Sequence, residues 1–513
     1  VTSPALQAVA CSHGDEAATL TLVRFGTTRL VLRSFGLNIC PKPQGSEEDP
    51  PQKRQSGGFD RRTAVEKAGR DAQKGRNIMR KTVAGLLAGI SFMFACGTSA
   101  QSQELTIFWA EWDPANYLQE LVNEYEAETG VKVTVETTPW ADFQTKAFTE
   151  FNAKGSAYDM VVGDSQWIGA ASEAGHYVDL TEFFNQHKLN EVMAPATVKY
   201  YSEYPANSGK YWSIPAEGDA VGWSYRKDWF EDPKEMEAFK AKYGYDLAPP
   251  KDWKQLRDIA EFFHRPDQKR YGIAIYTDNS YDGLVMGVEN AIFSFGGELG
   301  DYSTYKVDGI INSEKNVKAL EAYRELYGFT PPGWAKSFFV ENNQAITENL
   351  AAMSMNYFAF FPALVNEASN PNAKVTGFFA NPAGPEGDQY AALGGQGISI
   401  VSYSENKEEA MKFLEWFVKD ETQKRWAELG GYTASAKVLE SEEFQNATPY
   451  NKAFYETMFR VKDFWATPEY AELLIQMNQR IYPYVTAGQG TAKEALDALA
   501  KDWNATFKKY GRQ

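Results

Sequence analysis

From residue 104 onward the period of the apolar pattern switches at short intervals, and that switching commits the chain to helices layered on a sheet. Residues 104–110 (ELTIFWA) form a strand-like apolar run. Asp113-Pro114 then supplies a helix N-cap followed by proline at the first helical position. Leu118, Leu121, Val122 and Tyr125 recur at i, i+3, i+4 and i+7, which gives one apolar helix face, and Gly130 ends it. Residues 131–135 alternate apolar and polar and complete a βαβ unit. A short buried-strand run (159–163, DMVVG) and a helical start at 170–174 follow. Strand and helix in this alternation build a parallel α/β sheet.

In open parallel sheets ligands bind outside the carboxyl ends of the strands, so three loops stand out. Glu111 and Trp112 follow the first strand, Trp140 and Asp142 the second, and Asp164, Ser165, Gln166 and Trp167 the third. Each pairs an acid with a tryptophan. An indole offers a flat apolar face to the C–H side of a sugar ring, and carboxylates and amides bond its hydroxyls. A single tryptophan fits core packing equally well; the recurrence at successive strand ends favours binding.

A second boundary lies upstream. Met79-Arg80-Lys81, a mostly apolar stretch at 83–95 and Thr98-Ser99-Ala100 have the three-part form of a secretory signal. Cleavage after Ala100 would leave Gln101 first. The apolar stretch is shorter than the ~20 residues of a membrane-spanning helix. Residues 79–100 are therefore expected to be a removed signal peptide, and 1–78, which lack a sustained period, a disordered or spurious extension ahead of a start at Met79. Met93-Phe94-Ala95-Cys96-Gly97 also resembles a lipoprotein box. Met93 and bulky Phe94 depart from it, so the soluble periplasmic form is preferred over lipidation at Cys96.

Charge divides at the same place. The whole chain is at −16, but residues 101–513 hold 38 basic against 60 acidic residues, a net of −22. That balance argues against nucleic acid or an anionic membrane as partner. Cys11, Cys40 and Cys96 all precede Gln101, which excludes disulfides, thiol nucleophiles and thiolate metal sites from the remainder. About 410 residues suffice for two domains at ~100–200 residues each.

Further along, Ser208-Gly-Lys-Tyr-Trp-Ser-Ile-Pro215 leads to Trp223-Ser-Tyr-Arg-Lys-Asp-Trp-Phe230. Pro250-Lys-Asp-Trp253-Lys-Gln-Leu256, Leu350-Ala-Ala-Met353, Phe378-Phe-Ala-Asn-Pro-Ala-Gly-Pro385, Gly394-Gly-Gln-Gly-Ile-Ser399 and Ser404-Glu-Asn-Lys-Glu-Glu-Ala-Met-Lys-Phe413 follow in order. This series resembles the family 1 extracellular solute-binding proteins, receptors of carbohydrate ABC importers, from residue 105 to the C-terminus. Gly430-Gly431-Tyr432-Thr433-Ala434 departs from it, lacking the proline many members carry there. The resemblance implies a two-lobed periplasmic binding protein fold of the α/β class. Its parallel-type sheets would be flanked by helices, with the ligand cleft between two interleaved lobes within 101–513 and a chain crossing near 215–225. It further implies a monomer that binds a carbohydrate or polyol and meets ABC permease subunits, without cofactor, metal, nucleic acid or covalent chemistry.

Position within that resemblance nominates further contacts. Glu217 and Asp219 fall where the chain passes between lobes. Trp223 and Tyr225 share a strand face, so Trp223 is a candidate as well as a core residue. Asp278 and Tyr281 follow the strand run 271–275, Trp334 sits on a Pro-Pro-Gly turn where burial is less expected, and Tyr357 ends the run 351–355. Residues 358–361 are read as core packing. Gly394, Gly395 and Gln396 could present backbone amides; without a following Lys-Ser/Thr they are no phosphate loop. The competing reading is a secreted glycoside hydrolase with a carboxyl pair drawn from Glu111, Asp164, Glu217 and Asp219. His176, His187 and His264 have no metal-ligand spacing, and no internal repeat points to an adhesion module. Residues 491–502 predict a helix docked through Ala492, Ala495, Leu496 and Leu499.

Overall fold

The computed structural model describes residues 104–513 and two two-residue strands, Arg24–Phe25 and Arg29–Leu30, which pair antiparallel. Apart from those four positions, the expectations for residues 1–78, the signal segment 79–100 and the three cysteines lie outside the described residues.

The first lobe is built as the period switches predict. Strand β1 (Glu104–Ala110) runs into the helix Asp113–Thr129, which buries Leu118, Leu121, Val122 and Tyr125 and stops at Gly130 in the left-handed conformation. The cap position falls on Trp112, one residue before Asp113, and the Trp112 side chain caps nothing. Strand β2 (Lys132–Thr138) pairs parallel with β1 along its whole length, and β3 (Met160–Asp164) pairs parallel on the other side. Trp140 and Asp142 lie in the first turn of the helix Trp140–Ala153, not in an open loop.

The chain then forms β4 (Ile214–Glu217) and passes through residues 218–220 into β5 (Val221–Arg226) of the second lobe. That lobe adds β6 (Tyr271–Ala274), β7 (Ala351–Tyr357) and β8 (Thr376–Phe379) in the order β8-β5-β7-β6. After β9 (Ala391–Ala392) the chain returns and lays β10 (Gln396–Ile400) into the first sheet, whose order becomes β2-β1-β3-β10-β4. Both sheets are thus mixed. β10 is antiparallel to β3 and β4, and only β6 with β7 is parallel in the second sheet. A strand arriving from the other lobe enters at the edge where β3 ends, so it must run the opposite way.

Each lobe has its own core. Ile107, Met160, Ile398 and Phe413 typify the first, and Trp223, Ile273, Met353 and Trp503 the second, all fully buried. Each such side chain contributes about 1.5–3 kcal/mol of burial. A third cluster, including Ala220, Phe358, Leu393, Tyr432 and Phe454, fills the junction. Backbone hydrogen bonds knit the crossing segments: Gly218 N to Tyr432 O (2.6 Å), Gly394 N to Asp219 O (3.1 Å) and Leu393 N to Lys462 O (2.8 Å), the last placing β9 parallel to β11 (Val461–Lys462). The final helix, Ala492–Lys509, is capped by Thr491 with Glu494 and extends past the predicted span to bury Trp503 and Phe507. No helix among the described residues is long and apolar enough to cross a membrane.

Candidate functional site

Because β1 and β3 run parallel and β10 runs against them, the ends of β1 and β3 and the start of β10 meet at one edge. Gln396 there stands opposite Asp164 on one side and Glu217 on the other. Facing this edge across the junction are the end of β7 and the starts of two second-lobe helices. Between them lies a half-open cavity of about 100 Å³. The first lobe contributes Ala110, Glu111, Trp112, Trp140, Asp164 and Gln396, the crossings Asp219 and Gly394, and the second lobe Met286, Phe338, Phe339, Tyr357 and Phe360.

The walls are aromatic and continuous across the two lobes. Trp140 lies 6.5 Å from Trp112, Trp112 lies 6.5 Å from Phe360, and Phe360 stacks on Phe339 at 4.4 Å with planes 5° apart. Such a belt supplies flat apolar faces at several orientations. Polar groups are few and fixed. Asp164 accepts from Gln166 N (3.0 Å), which makes it the cap of the turn Ser165–Trp167. Asp219 accepts from Ala220 N (2.7 Å) and Ala359 N (3.3 Å), so its carboxylate spans a crossing segment and the second lobe. The Gln396 amide oxygen accepts from the Trp109 indole, which directs its NH₂ elsewhere.

Burial sets the electrostatics. Desolvation pushes Asp164 up to about 7 and Asp219 up to about 8, against the partial relief of their backbone donors. Glu217, Asp282, Glu289 and Asp463 are raised well above the ordinary carboxylate range by the same cause, reinforced by neighbouring acids. Among the described residues no group of three or more His, Cys, Asp or Glu is placed to hold a metal ion.

Of the sequence-predicted residues, Glu111, Trp112, Trp140, Asp164, Asp219, Tyr357 and Gly394 are brought together around this cavity. Ser165, Gln166 and Trp167 lie directly behind. Gln166 donates to Asp282 across to the second lobe (3.4 Å), and Trp167 packs on Phe143 at 4.8 Å. Tyr281 sits beside Trp140, ring centroids 6.3 Å apart. Glu217 is wholly buried behind Gln396, accepting from Tyr432 N at 3.3 Å. Gly395 packs under the Tyr201 ring, where a β-carbon would collide.

Three candidates are placed elsewhere. Trp223 is a core residue of the second lobe, stacked on Phe379 and donating to Asn381 at 3.0 Å. Trp334 turns inward from its loop and donates to Ile275 O at 3.0 Å, contrary to the expectation that a turn would leave it unburied. Asp278 serves its own loop, accepting from Ser280 N.

Sequence reasoning missed Met286, Phe338, Phe339 and the side-chain role of Gln396, and it assigned all of 358–361 to packing. Phe358 and Phe361 are indeed fully buried, while Phe360 lines the cavity. The phenylalanines and Met286 carry no signal that separates a cavity wall from a core. Asp282 and Asp463, buried behind the cavity, do carry one: each is an acid beside an apolar run, LVMGV and FW.

A two-lobed α/β protein with an aromatic and acidic cleft at the lobe junction has the architecture of a periplasmic-type binding protein. The chain belongs to the bacterial extracellular solute-binding protein family, whose profile matches residues 111–424. It is 26% identical over 311 residues to the "Probable ABC transporter-binding protein" of Deinococcus radiodurans, a match spanning 60% of this chain and 69% of the relative. Its fold is similar to that of an ABC transporter solute-binding protein from Agrobacterium radiobacter K84 in complex with ribitol (TM-score 0.65, 22% identity, 79% of this chain and 98% of that one). A solute-binding protein from Agrobacterium vitis S4 with bound D-mannitol is similar too (TM-score 0.60, 20% identity, 80% and 99%).

Proposed function

We propose that this chain captures a sugar or polyol in the cavity between its lobes and hands it, as a monomer, to the permease subunits of an ABC importer. The observation that carries this reading is the aromatic belt Trp140–Trp112–Phe360–Phe339 facing Asp164, Asp219 and Gln396. Ring faces take up C–H surface and the polar groups bond hydroxyls, a pairing that neither a purely apolar nor a purely polar solute uses in full. The complexes with ribitol and D-mannitol on the same fold support it. Both lobes contribute to the belt, so hinge closure would assemble the site. The removal of a signal peptide after Ala100 and release into the periplasm belong to the same proposal.

No covalent chemistry is proposed. The carboxyls at the cavity are read as hydroxyl acceptors, in keeping with a family of solute-binding proteins. A thermal-shift screen against sugars and polyols tests both points. A ligand at 100 times its dissociation constant should add about 2.7 kcal/mol of stability. No shift with any of them, together with turnover of a chromogenic glycoside, would replace this reading with the hydrolase one.

A further inference from the structure

Buried acids in this protein fall into two groups. Away from the cleft, Glu409 pairs with Lys412 (2.8 Å), Asp258 with Lys254 (2.6 Å) and Glu469 with Arg512 (2.9 Å). Asp159, in no ion pair among the described residues, instead accepts from three neutral donors: Thr106 N, Ser404 Oγ and Asn406 Nδ2 at 2.8, 2.6 and 3.1 Å. Around the cleft, Asp164, Glu217, Asp219, Asp282, Glu289 and Asp463 are equally buried, and none is in an ion pair among the described residues. Among the described residues one carboxyl oxygen of Glu217 has no hydrogen-bond partner, while Asp282 and Asp463 have only neutral donors near them, the Trp140 indole and the Ser165 hydroxyl among these.

The cavity itself compounds this. Among the described residues no Lys, Arg or His lines it, and Glu111, Asp164 and Asp219 do. Asp282, fully buried, stands behind Asp164 and is reached through Gln166. A neutral polyol can bond these groups while they stay protonated, whereas a cation pairs with their ionised form. A buried carboxyl stays ionised where a cation pairs with it, and the cleft acids have no such partner among the described residues. The aromatic belt is the second half of the match, since ring faces attract cations as well as C–H surface.

Resting on the reading of this cleft as a solute site, we infer that the solute carries a positive charge: it is a sugar or polyol bearing an amine. Its ammonium would sit between Asp164 and the Trp112–Trp140 wall, donating up to three hydrogen bonds, while its hydroxyls reach Asp219 and Gln396. Binding an ammonium to carboxyls that burial keeps partly protonated releases protons. Two independent readouts follow.

Isothermal titration calorimetry on the purified full chain would use matched pairs: D-glucosamine against D-glucose, D-galactosamine against D-galactose, and 1-amino-1-deoxy-D-sorbitol against D-sorbitol. In at least one pair the amine should bind about tenfold tighter or more. Its apparent enthalpy should change between phosphate and Tris buffers as protons are released, and Asp164→Asn should bring amine and neutral member to within about twofold. If Asp164→Asn does not fold, the buffer dependence of the natural chain decides. A neutral sugar or polyol that binds as tightly as its amine partner overturns the inference and leaves the sugar reading standing. Binding of no member of any pair overturns both.

Discussion

Arg512 donates two hydrogen bonds to Glu173, at 3.0 and 2.7 Å, and so ties the last residues of the chain to the first lobe. Its Nε reaches Glu469, at the start of the second-lobe helix Tyr470–Ala487, at 2.9 Å. One guanidinium therefore bridges the lobes. Glu469 is nearly inaccessible and Glu173 well exposed, so the two halves of the bridge differ in value. Arg512→Ala should cost between the ~1 kcal/mol of an exposed pair and the ~3–5 kcal/mol of a buried one, whereas Glu173→Gln should cost about 1 kcal/mol or less. Urea denaturation of both variants checks this; equal and negligible losses would show that the bridge holds nothing.

The cleft acids predict a pH dependence of stability. Asp164 is held up at about 7 and Asp219 at about 8 because burial disfavours their charged forms. In the unfolded chain both titrate near ~4, so between about pH 4 and 8 the folded state binds more protons. Their contribution is fully present below about pH 4 and is lost as pH rises through 7 to 8. The melting temperature of the unliganded protein should accordingly fall from about pH 5.5 to 8.5, and Asp219→Asn should flatten the fall. An unchanged slope in that variant would refute the assignment.

Gly395 should not tolerate a side chain. A β-carbon there would meet the Tyr201 ring, which is itself fully enclosed beneath the crossing. Gly395→Ala is expected to cost about 1–3 kcal/mol through overpacking. Denaturant titration measures it, and a stability equal to the natural chain would mean that Tyr201 moves freely.

The tryptophans should separate by consequence. Trp112→Ala and Trp140→Ala remove cavity walls and are expected to weaken solute binding about tenfold or more while costing less stability than a core truncation. Trp223→Ala should cost about 3–5 kcal/mol, because it empties part of the second core and removes one of the two hydrogen bonds that Asn381 Oδ1 accepts. Calorimetry and melts on the same preparations distinguish the two sets.

This split marks where the sequence stopped being informative. The period switches exposed β1, β2 and β3 and the helix face of Leu118, Leu121 and Val122, and the rule about strand ends pointed to Trp112, Trp140 and Asp164. These are local properties. Whether Trp334 turns inward to Ile275 or outward to a ligand depends on a loop 59 residues away. Phe338, Phe339 and Phe360 become cavity walls only because the other lobe stands opposite, and no neighbour in the chain records that. The antiparallel β10 was illegible for the same reason, since its direction follows from where the returning chain re-enters.

That return also orders the folding of the molecule. Trp109 and its partner Gln396 are 287 residues apart in sequence, and the strand carrying Gln396 is an inner strand of the first sheet. Loop closure over such a span comes late. A chain truncated before residue 396 would leave β3 and β4 without the strand between them, so the first lobe to be synthesised must wait for the second to pass before it can close.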